Sequence, residues 1–143
     1  MPQNSVLLIE DDPQYTELVA AVLSGGNDCF EMRSASTLQT GLDAVKRLNP
    51  DIILLDLDLP DSAGYETFLR VRAQAPETPI IVLTGTDDDE TALKAAEGGV
   101  QDYLVKGLQQ PKVIARCVKM ALHRHSRRVV KKVPLALPEL YWG

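Results

Sequence analysis

Asp51-Ile52-Ile53-Leu54-Leu55-Asp56-Leu57-Asp58-Leu59-Pro60-Asp61 is the stretch on which the fold turns. Four consecutive apolar residues, two of them β-branched, predict a strand buried on both faces, as in a parallel sheet. Such a strand has no room for a carboxylate until it emerges at its carboxyl end. Asp56 stands at that emergence, and Pro60 and Gly64 then break the run and lead into a helix. Turns are rich in Asp, so Asp56 and Asp58 alone could mark no more than a strand end and a solvated turn. The flanking sequence decides between the two readings.

Working outward, the same alternation repeats on both sides. Ser5 to Ile9 form a first apolar strand ending at Glu10-Asp11-Asp12-Pro13, where Asp12 and Pro13 suit the N-cap and first position of a helix. Tyr15, Leu18, Val19 and Val22 give that helix one apolar stripe, and Gly25-Gly26 end it. A weaker strand near Phe30 to Arg33 reads as a sheet edge. Ser36-Thr37-Leu38-Gln39 fits a capping box before the stripe Leu38, Leu42, Val45 and Leu48. After the central strand, Tyr65, Phe68 and Leu69 predict a third helix, and Pro79 to Leu83 a fourth strand ending at Thr84-Gly85-Thr86. Asp87-Asp88-Asp89-Glu90 load the first turn of a fourth helix with acid, as the helix dipole favours. With mainly Ala92, Leu93, Ala95 and Ala96 to bury, it should be loosely held. Asp102 to Val105 make a fifth strand ending at Lys106-Gly107. Pro111 opens a last helix with Ile114, Cys117, Val118, Ala121 and Leu122 inside, running to about Arg128. Five such alternations predict a doubly wound, open parallel sheet of order 2-1-3-4-5, flavodoxin-like, with helices on both faces. Its ligand crevice lies outside the carboxyl ends of strands 1 and 3.

Composition fits one domain. The 143 residues are 45% hydrophobic and 24% charged, enough for a core without staples. No apolar run approaches the roughly 20 residues that span a bilayer, and no signal-peptide pattern opens the chain. Cys29 and Cys117 lack ligand-spaced neighbours and read as buried thiols in a reducing cytoplasm. His123 and His125 fall on different helix faces and read as rim residues. The net charge of −5 hides an asymmetry. Residues 1–111 carry 7 cations and 19 anions, whereas residues 112–143 carry 8 and 1.

The predicted functional edge collects Glu10 and Asp11 from strand 1, Asp56 from strand 3, Thr84 from strand 4 and Lys106 from strand 5. Three close carboxylates repel one another and call for a cation; all-oxygen ligation suits Mg²⁺ or Mn²⁺. With the metal and Lys106 stabilising phosphoryl oxygens, Asp56 is placed as an in-line nucleophile that forms an aspartyl phosphate.

Over residues about 4–127 the sequence resembles the receiver domains of two-component response regulators. The resemblance rests on Leu8-Ile9-Glu10-Asp11-Asp12-Pro13, Leu55-Asp56-Leu57-Asp58-Leu59-Pro60 with Gly64, Val82-Leu83-Thr84-Gly85, and Asp102-Tyr103-Leu104-Val105-Lys106. It implies Asp56 as phosphoacceptor, Asp11 and Asp56 as direct metal ligands, Glu10 binding through water and the Asp58 carbonyl completing the set. It also implies Thr84 and Lys106 gripping the phosphoryl group and Tyr103 as an aromatic switch. The implied donor is a phosphohistidine on a sensor kinase or phosphotransfer protein, and the implied output is a changed helix 4–strand 5–helix 5 surface.

Three features depart from the pattern. Gly107 stands where a cis-Pro is usual, so the Lys106–Gly107 peptide is expected to be trans. Gly85 replaces the common Ala, and this sequence has too few residues after the last helix to hold an output domain. A second reading, a haloacid-dehalogenase-type phosphohydrolase using Asp56 and Asp58, lacks that family's downstream acidic pair and leaves Glu10-Asp11 without a role. A phosphorylation-independent scaffold of the same fold is a third. The domain is expected over 1–128, with 129–143 a basic and apolar tail. That tail reads as a solvated helix end or a linker to an output module; direct nucleic-acid binding is the least favoured reading. Asp88, Asp89, Glu97 and Asp102 on helix 4 and strand 5, with Lys112, Arg116 and Lys119 on helix 5, would allow a homodimer of matched signs.

Overall fold

The computed structural model describes residues 4–26, 29–85, 89–107 and 111–136; for residue 89 and residues 126–136 only the backbone is described. Strands β1 (Asn4–Ile9), β2 (Phe30–Ala35), β3 (Ile52–Asp56), β6 (Ile80–Thr84) and β7 (Asp102–Val105) form one parallel sheet of order β2-β1-β3-β6-β7. This is the expected 2-1-3-4-5 order, with β2 at an edge. A two-residue hairpin, β4 (Asp58–Leu59) with β5 (Ser62–Ala63), was not foreseen. The helices are α1 (Pro13–Ser24), α2 (Leu38–Leu48), α3 (Tyr65–Gln74), α4 (Asp89–Glu97) and α5 (Lys112–Ala136).

The central strands are apolar throughout because both faces are covered. Every residue of β3 and β6 is buried. Leu7, Ile9, Ile53, Leu55, Ile80 and Val82 pack with Leu38, Leu42, Val45, Phe68 and Val71 of α2 and α3. The alternate residues Val6, Leu8, Ile52, Leu54, Ile81 and Leu83 pack with Val19, Leu23, Ile114, Val118 and Ala121 of α1 and α5. Period-two alternation thus feeds two cores, one on each side of the sheet. At Gly41 a Cβ would come within 2.6 Å of the Ile9 side chain, so glycine lets α2 lie close on β1.

Several local expectations need correction. The N-cap of α2 is Thr37, not Ser36: its side chain accepts from the Thr40 N–H while the Thr40 hydroxyl accepts from the Thr37 N–H. Threonine at the third helical position completes the reciprocal pair that Gln39 was expected to supply. The inner stripe of α1 turns toward Val19 and Leu23, leaving Leu18 39% exposed, and Leu69 of α3 is exposed as well. Cys29 is exposed rather than buried, because it precedes the edge strand, and Cys117 is half-buried. The backbone of α5 continues to Ala136, well past Arg128. Straight-chain Arg and Lys, which dominate residues 127–132, lose little rotamer freedom in a helix and carry it onward. Of the acidic run expected to open α4, residues 86–88 lie outside the described residues, as do residues 137–143 of the tail.

Candidate functional site

Parallel pairing aligns the strand ends. Ile9 lies opposite Leu55, so Glu10 arrives level with Asp56; Asp56 lies opposite Leu83, which puts Thr84 one step beyond; and Thr84 lies opposite Val105, one step before Lys106. The Lys106 N–H donates to the Thr84 carbonyl at 2.7 Å, fixing the end of β7 against β6. Register alone therefore gathers residues up to 96 positions apart in sequence.

The side chains converge as the sequence predicts. Carboxylate oxygens of Glu10, Asp11 and Asp56 all lie within 4.8 Å of one another. Glu10 and Asp56 are buried, Asp11 is exposed, and Thr84 is buried. Lys106 Nζ donates to Glu10 Oε1 and lies 3.3 Å from Asp56 Oδ2. The Asp12 N–H donates to Glu10 Oε2 at 3.1 Å and the Asp58 N–H to Asp56 Oδ1 at 3.0 Å. These bonds leave Asp56 anchored through one oxygen and paired with an ammonium through the other. Asp58, whose carbonyl is the expected ligand, touches the site through its N–H, and its own carboxylate is not part of the cluster.

Electrostatics follow from crowding. Burial lifts the Glu10 carboxyl from 4.5 to about 7; the Lys106 hydrogen bond opposes the rise and neighbouring Asp56 adds to it. Burial works against the Lys106 charge, but the hydrogen bond to Glu10 and the charge of Asp56 outweigh it, and its pKa is raised. Three carboxylates gathered this closely fit a hard divalent cation.

Tyr103 lies on β7, packs against the α2–α3 side of the core and has its hydroxyl oxygen buried. The Lys106–Gly107 peptide is trans, as expected, and Gly107 takes φ 86°. Two contacts escaped the sequence reading. The Tyr15 ring lies under the Lys106 ammonium, 4.5 Å from Nζ to centroid. The Asp61 carboxylate accepts from the Leu38 and Gln39 N–H groups at 2.8 and 3.0 Å, capping α2 from the β4–β5 turn. An aromatic three residues beyond Asp12 on the inner stripe was a usable signal for the first; nothing local signalled the second.

Among known families, the response regulator receiver domain matches residues 6–118. The chain is 33% identical over 128 residues to the cell cycle transcriptional regulator CtrA of Caulobacter vibrioides, covering 88% of this chain and 54% of that protein. A CheY-like receiver domain protein from Methanospirillum hungatei shares the fold, with a TM-score of 0.80 at 21% identity over 89% of this chain and 99% of that one. DrrB of Thermotoga maritima, an OmpR/PhoB homologue, gives a TM-score of 0.73 at 28% identity over 86% of this chain and 54% of that one. The chain spans about half the length of the curated relatives it matches. These likenesses do not support the dehalogenase-type reading. The structure also brings Glu10, which has no role in that scheme, onto the same ammonium as Asp56.

Proposed function

Because the chain belongs to the response regulator receiver domain family, we propose that it takes a phosphoryl group from a phosphohistidine onto Asp56. The observation that carries this reading is the convergence of Glu10, Asp11, Asp56 and Lys106 at one sheet edge beside buried Thr84. An Asp56 oxygen attacks phosphorus in line, the P–N bond breaks, and the imidazole leaves with the bond's electron pair. Glu10, Asp11 and Asp56, with the Asp58 carbonyl, would hold Mg²⁺, which supplies charge neutralisation at the phosphoryl oxygens. Lys106 neutralises a further phosphoryl oxygen. The Asp58 N–H keeps one Asp56 oxygen oriented while the other reacts. The domain is a signalling module, not a classical enzyme, and the only turnover proposed is making and hydrolysing its own aspartyl phosphate.

A hydrogen bond from the Thr84 hydroxyl to the phosphoryl group is charge-assisted, about 1.5–3 kcal/mol. That is enough to move a two-state equilibrium by one to two decades. Drawing Thr84 inward bears on Tyr103, which pairs across from Val82 on the adjacent strand. The surface of α4, β7 and α5 is the proposed readout for a partner or output domain, with a sensor kinase or phosphotransfer protein upstream in the cytoplasm. No helix of the described residues is long and apolar enough to cross a membrane.

Labelling stoichiometry tests the reading. With a small phosphodonor and Mg²⁺, about one acid-stable, base-labile phosphoryl group per chain is expected. Continuous phosphate release at enzyme rates would instead return the phosphohydrolase.

A further inference from the structure

Lys106 carries a compact charge on a flexible four-carbon stem, with no planar fork to orient it. Its backbone is held by the Thr84 carbonyl, but the next residue is Gly107 at φ 86°, a left-handed position with no side chain to stiffen the chain. The direction of the stem therefore depends on what the ammonium touches. Its contacts are Glu10 Oε1, Asp56 Oδ2 and the Tyr15 ring. An ammonium has three donors, and two carboxylates plus one aromatic face account for them. The carboxylates belong to the candidate cation cluster, where a divalent ion competes for their charge. The ring is neutral and keeps its attraction when the ion arrives. Tyr15 is itself well anchored. It lies in the first turn of α1, which Asp12 caps through the Gln14 N–H at 2.9 Å, and it packs against the α1–α5 core.

We propose that Tyr15 is a positioning residue for Lys106, its ring face holding the ammonium at the phosphoacceptor crevice when the carboxylates are engaged with a metal. The inference rests on the phosphoacceptor reading above. In the full chain with Mg²⁺, the Lys106 ε-methylene protons should show an upfield ring-current shift in the wild type and in Tyr15→Phe, and lose it in Tyr15→Leu. Beryllofluoride affinity should fall about three- to tenfold in Tyr15→Leu and stay near wild type in Tyr15→Phe, the range expected for a partly desolvated cation–π contact. Progressive fluorination of the ring in the Tyr15→Phe protein keeps its shape while draining the negative face, so affinity should fall stepwise. That series decides the matter even if Tyr15→Leu does not fold. An unchanged Lys106 shift in Tyr15→Leu, or an affinity indifferent to fluorination, overturns the proposal. A wild-type protein that takes no label at Asp56 overturns the phosphoacceptor reading instead, while the ring-current shift still reports on the contact.

Discussion

Asp56 is 4% exposed, yet it is a carboxylate at the end of a strand whose preceding residues are fully buried. Such a group persists only where hydrogen bonds and an opposite charge compensate its burial, here the Asp58 N–H and Lys106. On the proposed assignment, Asp56→Asn keeps the size and the hydrogen bond but removes the nucleophile. Labelling by a small phosphodonor should drop to background while the fold is retained, as read by circular dichroism. Wild-type labelling of that variant would move the phosphoacceptor elsewhere. Asp61 makes a different prediction. The N–H groups of Leu38 and Gln39 hold its carboxyl below its ordinary value of 3.8. A depressed carboxyl stabilises the fold above its unfolded pKa and loses that contribution as pH falls through its folded pKa. Asp61→Asn should therefore lower the urea midpoint at pH 7, and the gap to wild type should close below about pH 3.8. A gap that persists in acid would mean the carboxylate charge is not what caps α2.

The helices differ sharply in how firmly they are held. Phe68 of α3 is fully buried, stacks on Tyr65 with centroids 5.7 Å apart and lies against the Arg72 guanidinium. Arg72 in turn donates to the carbonyls of Ala75, Pro76, Thr78 and Gly99. Among the described residues of α4 only Ala95 is a buried apolar one, and Leu93 is 67% exposed. Phe68→Ala should thus cost about 3–5 kcal/mol by denaturant unfolding, through lost transfer energy and a cavity. Leu93→Ala should stay within about 0.5 kcal/mol. Comparable losses at both positions would contradict this division. The loose packing of α4 suits an element proposed to carry the readout, since surfaces that move are drawn from the less stable parts of a fold.

For the whole molecule, the acidic body and basic C-terminal segment define two expectations. The described side chains of α5 in the core include Ile114, Val118 and Ala121 with half-buried Leu122, and residues 129–143 are proposed as a basic tail to the domain. Their removal should leave Asp56 labelling unchanged, and a large loss of labelling or folding would make the segment part of the domain. Glu97 and Asp102 on α4 and β7, with Lys112, Arg116 and Lys119 on α5, offer opposite signs to a second copy across a two-fold axis. Exposed pairs contribute little individually, so any dimer should be weak and favoured by the activated state. Sedimentation with and without beryllofluoride measures it, and a monomer under both conditions at all concentrations rejects it.

Strand positions, sheet order and the five convergent site residues were legible in the sequence. A buried parallel strand must be apolar along its length, so a polar residue can appear only where it exits. The identity of the residues ending β1, β3, β6 and β7 was therefore readable without coordinates. What pairs with what was not. The Asp61 cap on α2 joins residues 23 apart, and the Tyr15 ring meets Lys106 across the mouth of the sheet. The shift of the α2 cap to Thr37, the exposure of Leu18 and Leu69, and the extension of α5 to Ala136 also departed from local pattern. Periodicity specifies which stripe of a helix is apolar, but its rotation against the sheet is settled by packing volume. Contacts between side chains on different elements likewise exist only once the sheet register has placed them.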